Sequence, residues 1–270
     1  MCGLFGIYSK KINVVEGTYF GMYALQHRGQ ESAGISVSNG EQVHTTKKQG
    51  LISHAFTKED LDKLPDGDMA IGHVRYSTTG SSFIGNAQPF AFMFKGTYMA
   101  LAHNGNIVNV TELREEYEKK GFQFMGSSDT EVISAMLSLS EKDTIEEAVA
   151  ETARKLKGAY SFLVLTPDKI VGIRDPLGIR PMAFGEVSDG YVFASEDCAL
   201  GVVGGKHNRE VMPGEMIVIS RDKVISKMIF EIQDRLAGCA FEFFYFARPD
   251  SCIEGKNLYD ARVKMGRNLY

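Results

Sequence analysis

What most constrains this chain is how its periodicity is arranged: strands come in hairpins, helices come in groups, and the two do not alternate one for one. Gly3–Ser9 is an apolar run that reads as a strand starting almost at the first atom of the chain. Asn13, with Glu16 three places on, signals a helix start, with Val14, Val15, Met22 and Leu25 on its buried side and Gly29 as its stop. Asn39-Gly40, between Gly34–Ser38 and Gln42–Lys47, marks a hairpin. Met69–Tyr76 and Tyr98–His103 are further strands. Capping boxes at Asn109 (with Glu112), Ser128 (with Glu131) and Thr144 (with Glu147) then open three successive helices, which stop near Gly121, Ser140 and Gly158. From Ala159 the hairpins return as Ser161–Leu165, Ile170–Arg174, Met182–Val187, Tyr191–Ser195 and Met216–Ser220. Pro167-Asp168 and Asp189-Gly190 supply turns between them. Parallel strands need a long crossover, usually a helix, at each step. This order lacks that alternation and predicts an α+β class, with antiparallel sheets and helices layered outside.

Composition narrows the partners. Apolar residues are 44% and charged ones 24%, the balance of a globular protein. Lys plus Arg number 30 against 34 Asp plus Glu, a net charge of −4, so no bulk basic field exists for nucleic acid or an anionic membrane. No run approaches the roughly 18 apolar residues of a membrane span. Lys10 and Lys11 follow the first apolar stretch instead of preceding it, the reverse of a signal peptide. A cytoplasmic location, with no nucleic-acid or membrane partner, is the expectation. Cys2, Cys198, Cys239 and Cys252 are too scattered for a disulfide framework, and none has zinc-type spacing. Twenty-eight glycines against seven prolines suggest tight loops around something small.

Four segments could carry chemistry. Removal of Met1 would leave Cys2 with a free α-amine, and an amine near 7.7–8 beside a thiol near 8.5 can exchange a proton at neutral pH. Alone, a cysteine at position two is an accident of sequence. Leading straight into Gly3–Ile7, it is fixed in space where most termini fray. Arg75 continues the face of Met69, Ile71 and His73, and its guanidinium suits a carboxylate. Thr78–Gly85, small and glycine-rich, has the texture of a lid, and His73 alone reads as a core histidine. His103-Asn104-Gly105 ends a strand in an abrupt turn. As an isolated dipeptide Asn-Gly is turn chemistry, but an Asn amide beside an unencumbered Gly N–H also makes a two-donor oxyanion hole. Asp129, in the first turn of a helix, either complements the helix dipole or holds an ammonium group. Together these parts fit a free amino acid with a cleavable side-chain acyl group, glutamine above all.

Cys2-Gly3-Leu4-Phe5-Gly6-Ile7, Leu25–Gly34, Gly72–Gly80, His103-Asn104-Gly105 and Ser128-Asp129-Thr130-Glu131 occur in the order of the N-terminal-nucleophile (Ntn) glutamine amidotransferases, which the chain resembles. Within them, Phe241–Ser251 resembles the amidophosphoribosyltransferase family. The resemblance implies a four-layer α/β/β/α sandwich of Ntn-hydrolase type. It implies Cys2 as nucleophile, with its amine as base, and Asn104 and Gly105 as the oxyanion hole. Arg75 would bind the glutamine carboxylate and Asp129 its ammonium. Tyr76 and Thr78 would belong to the loop closing over glutamine, and Arg28, whose segment orders the nucleophile, is placed with the substrate-binding residues.

By the same resemblance, ammonia from L-glutamine passes to phosphoribosyl pyrophosphate on a second domain, giving phosphoribosylamine for purine synthesis. The glutaminase domain is expected over 2–232, with a truncated start of the phosphoribosyltransferase domain over 233–270, because Asn257–Tyr270 reads as a helix without a stop. No cofactor is expected within 1–270. Mg²⁺ is expected with the missing domain, where phosphate and carboxylates would meet. A [4Fe-4S] cluster is an option for the full-length protein, with Cys239 as a ligand, and the expectation is that Cys2 has no propeptide before it. A homo-oligomer is expected at full length. Gly201–Lys206 lacks the first glycine and the Ser/Thr of a P-loop and reads as a structural turn. The rival readings are another amidotransferase of the class, such as glucosamine-6-phosphate synthase; a thiol protease pairing Cys2 with His73 or His103; and a glutamine-binding regulatory module.

Overall fold

The structure, a computed structural model, describes residues 1–77, 83–232 and 236–269. In chain order its first half runs β1 (Gly3–Tyr8), α1 (Val14–Ala24), β2 (Ser32–Ser38), β3 (Val43–Gln49), α2 (Ile52–Ala55), α3 (Lys58–Asp62), β4 (Met69–Arg75), β5 (Phe90–Phe94), β6 (Thr97–Ile107), α4 (Val110–Lys119), α5 (Asp129–Ser138) and α6 (Ile145–Lys155). The second half runs β7 (Gly158–Leu165), β8 (Lys169–Arg174), β9 (Ala183–Val187), β10 (Gly190–Ala194), α7 (Cys198–Gly201), β11 (Lys206–Glu210), β12 (Glu215–Ser220) and β13 (Val224–Met228). A π-helical turn over Glu242–Phe246, a small ladder of β14 (Cys252–Ile253) with β15 (Lys256–Asn257), and α8 (Leu258–Leu269) follow.

Two antiparallel sheets form, in the orders β11-β9-β10-β1-β4-β2-β3 and β13-β12-β8-β7-β6-β5. Strand β1 shows why they stack. Its odd residues Phe5 and Ile7 pack outward with α1, while Leu4 and Tyr8 face the second sheet. Both faces are buried, so the strand reads as a continuous apolar run rather than an alternation. One core lies between the sheets, built on Leu4, Ile71, Ala102, Leu163, Phe193 and Ile217. A second lies between the first sheet and α1, α2 and α7, and a third between the other sheet and α4, α5 and α6. The layers are therefore α/β/β/α, as the resemblance implies. Gly21 permits the close seat of α1, since a Cβ there would stand 2.4 Å from the Phe5 ring.

The caps differ in detail from the sequence reading. Thr144 and Glu147 make the reciprocal box. Asn13 accepts from Val15 N and Glu16 N, but the α-helix ends at Ala24 and a 3₁₀ turn, Gln26–Arg28, precedes Gly29. Ser128 caps Thr130 N, while Glu131 turns back to the amides of Met125 and Gly126. Asn109 caps nothing with its side chain and instead ties Lys155 O and Lys157 N, stitching α4 to the end of α6. The larger correction concerns Asn104-Gly105. These residues do not turn: β6 runs on to Ile107, with Asn104 opposite Ser161 and Gly105 opposite Tyr160 of β7. The glycine serves close approach, because a Cβ there would sit 2.0 Å from Ala159 O.

Candidate active site around Cys2

The first sheet places Cys2. Gly3 pairs with Val74 of β4, so Cys2 lies at the end of the ladder beside Arg75, while β2 sets Ser32 opposite Arg75. Three bonds then hold the residue. Its backbone N–H donates to Asn104 Oδ1 (2.9 Å), its carbonyl accepts from Arg28 Nε (3.0 Å), and its Sγ points at Tyr76 O (3.5 Å). With Met1 attached, the Cys2 nitrogen is an amide; in a Met-free chain the α-amine would occupy this place. Burial pushes the Cys2 thiol up, whereas the N-terminal ammonium next to it and Arg75 pull it down and Asp129 adds to the rise. A thiol in this setting needs a base close by to become a thiolate.

Asn104 crosses from the second sheet and is wholly buried. Its Oδ1 is taken by Cys2 N, which leaves Nδ2 as a buried donor without a partner among the described residues. Such a group is costly unless something fills it, and buried polar atoms are otherwise nearly always paired. Asp129 opens α5. Its Oδ2 accepts from Ile107 N (3.1 Å), and its Oδ1 lies 3.9 Å from His103 Nδ1. Arg75 is almost fully buried, with Nη1 3.1 Å from Glu31 Oε2. Glu31 Oε1 in turn accepts from Ser77 N (2.9 Å) and Oγ (2.6 Å), fixing the chain where it leaves β4. The side chain of Tyr76 is exposed. Thr78 lies outside the described residues.

The two histidines sit beneath the site as structural groups. His73 Nε2 donates to His103 O (3.0 Å), and burial lowers its pKa to about 3. His103 is also lowered by burial, and its Nδ1 meets Thr130 Oγ1 (3.0 Å). Gln88 bridges the two segments, accepting from His103 N (2.6 Å) and donating to Thr130 Oγ1 (2.9 Å). Burial disfavours the charged form of both rings, and the polar partner of Cys2 Sγ is a backbone carbonyl, not an imidazole. That arrangement gives a Cys–His protease no pair.

Sequence reasoning missed the acidic residues behind the nucleophile. Arg28 is fully buried and pairs with Glu196 and with Glu242, the latter through Nη2 at 2.7 Å. Burial works against its charge, but the two carboxylates more than offset this and raise its pKa. The structure thus sets Arg28, wholly buried, against the Cys2 carbonyl. Their sequence separations, 168 and 214 residues, carry no periodic signal. Among the described residues no three His, Cys, Asp or Glu side chains gather as a metal set. No described helix is long and apolar enough to cross a membrane.

The chain is similar to known proteins. The glutamine amidotransferase domain family matches residues 73–201. An amidophosphoribosyltransferase of Methanothermobacter thermautotrophicus is 45% identical over 100% of this chain and 57% of its own length. That of Bacillus subtilis is 42% identical over 99% of this chain and 56% of its own. The solved glutamine phosphoribosylpyrophosphate amidotransferase of B. subtilis, complexed with ADP and GMP, superposes with a TM-score of 0.92 at 41% identity, over 99% of this chain and 58% of that one. Over its whole length the chain is similar to amidophosphoribosyltransferases. It spans a little over half the length of these relatives. A glutamine aminotransferase class-II domain protein of Silicibacter pomeroyi, 11% identical with a TM-score of 0.57, shares the fold alone, over 85% of this chain and 100% of its own.

Proposed function

We propose that this chain is the glutaminase part of an amidophosphoribosyltransferase. The observation that carries the reading is the Asn104 amide, with one end on the Cys2 nitrogen and the other an unpaired buried donor beside it. In the Met-free chain the Cys2 α-amine takes the thiol proton, directly or through water. The thiolate adds to the side-chain carbonyl carbon of glutamine, and Asn104 Nδ2 with Gly105 N–H receives the oxyanion. Collapse breaks the C–N bond, and the amine returns its proton to the departing nitrogen, which leaves as ammonia. Water then hydrolyses the thioester, releasing glutamate and restoring the thiol. Arg75 holds the α-carboxylate and Asp129 the α-ammonium, with Tyr76 in the segment that follows Arg75.

The ammonia passes to phosphoribosyl pyrophosphate on a domain beyond this chain, forming 5-phosphoribosylamine. Sheltered transfer matters because ammonia that reaches water at neutral pH is protonated and no longer a nucleophile. The glutaminase unit covers 2–232, and 233–270 begins the phosphoribosyltransferase unit; Ala247, Ile253 and Leu258 form a small cluster apart from the three main cores, in support of that division. Mg²⁺ belongs with the second domain, and the enzyme works in the cytoplasm as a homo-oligomer. Glutamate release tests the reading: the wild type should turn over glutamine and Cys2→Ala should not. Turnover by Cys2→Ala would remove the nucleophile assignment.

A further inference from the structure

The aromatic phrase after the second sheet converges on the back of the nucleophile. Arg28 joins the two: its Nε holds the Cys2 carbonyl, and its Nη atoms fork onto Glu242 at 3.0 and 2.7 Å. The Phe246 ring lies 4.8 Å from the guanidinium carbon. Glu196, the other carboxylate on Arg28, is itself held by this segment, accepting from Arg248 N (2.9 Å) and Ser251 Oγ (2.7 Å), and its other oxygen meets His27 Nε2 (2.7 Å). Arg28, Glu196, Glu242 and Ser251 are all buried. The nucleophile's backbone is therefore two contacts away from a stretch of chain that follows the glutaminase sheets.

We propose that Glu242 is a positioning residue for the glutaminase step: through the Arg28 guanidinium it fixes the Cys2 carbonyl, so the segment 242–251 sets the reactivity of the nucleophile. This deepens the glutaminase reading and rests on it. A terminal residue frays unless tied down, and among the described residues the Arg28 bond is one of three ties that orient Cys2. Without the Glu242 carboxylate the guanidinium keeps Glu196 as its sole anion and swings toward it, releasing the carbonyl. A misplacement of about 1 Å at a reacting atom can cost 10²-fold in rate.

The test uses the full-length protein with Glu242→Gln and, as a milder variant that keeps both carboxylates, Ser251→Ala. Two readouts are taken: kcat and KM for glutamine, and the rate at which iodoacetamide alkylates Cys2, followed by intact mass. Glu242→Gln should lower kcat about tenfold or more with KM within about twofold, and slow alkylation in step. Glu242→Asp should recover part of the loss, and Ser251→Ala should move kcat a few-fold in the same direction. A folded Glu242→Gln, or a folded Ser251→Ala if the first does not fold, with wild-type kcat and alkylation rate would overturn the coupling. Wild type that alkylates at Cys2 yet never hydrolyses glutamine would overturn the glutaminase reading instead, and the alkylation rates of the variants would still decide the coupling.

Discussion

Asn104→Ala separates this site from a plain cysteine pocket, because one side chain serves two functions there. Its Oδ1 takes the Cys2 nitrogen at 2.9 Å, and its Nδ2 is the unpaired donor. Loss of a single oxyanion donor costs about 2.7–4 kcal/mol in the transition state. Loss of the acceptor for the Cys2 nitrogen adds about 1 kcal/mol, the net worth of an ordinary hydrogen bond. At roughly 1.4 kcal/mol per decade, kcat should fall between about 10²- and 10⁴-fold. KM for glutamine should stay close to wild type, since in the proposed reading Arg75 and Asp129, not Asn104, hold the ends of the substrate. The assay is steady-state glutamate formation, with thermal melting as the folding control. A folded Asn104→Ala within about tenfold of wild-type kcat, or one whose whole loss lies in KM, would refute the oxyanion assignment.

Asp129→Asn should do the opposite, raising KM for glutamine by an order of magnitude or more through loss of the charge opposite the ammonium. Its stability should hold, because the new amide oxygen can still accept from Ile107 N. Glu210 predicts a pH effect on folding. Burial outweighs Arg174, 3.8 Å away, and raises its pKa to about 7. The folded carboxyl keeps a proton that the unfolded chain releases above about 4.3, so this stability is complete below that pH and is lost as pH rises to about 7. Urea melts should show that slope, worth up to about 3 kcal/mol, and Glu210→Gln should flatten it. Gly21→Ala should cost about 1–3 kcal/mol in the same melts, because the Phe5 ring occupies the space of the new methyl.

Much of the fold was legible because burial writes a pattern into sequence. Strand β1 is apolar on both faces, and Thr144 with Glu147 spells a cap from residues three positions apart. Of the four edge strands only Val43–Gln49, beside its Asn39-Gly40 turn, was legible. Lys206–Glu210 and Val224–Met228 are edge strands, mostly or partly exposed, and carry no clean alternation. Phe90–Phe94 does alternate buried with exposed, but Met93 and Ala91 are apolar and hide it. Of the site, Cys2, Arg75, Asn104 and Asp129 could be named because each lies within a short local phrase. Asn104-Gly105 misled in conformation, since the dipeptide that favours a turn here meets the crowding of Ala159 O inside a strand. Glu31, Glu196 and Glu242 were silent: only folding tells which carboxylate answers which buried guanidinium.

The central claim, a Met-free Cys2 that uses its own amine as base, is tested most directly by labelling with a glutamine-like electrophile and reading the intact and N-terminal peptide masses. The account predicts one label, on Cys2, in chain lacking Met1, and loss of labelling when the α-amine is blocked with the thiol left free. Equal labelling of protein that retains Met1, or of amine-blocked protein, would contradict it.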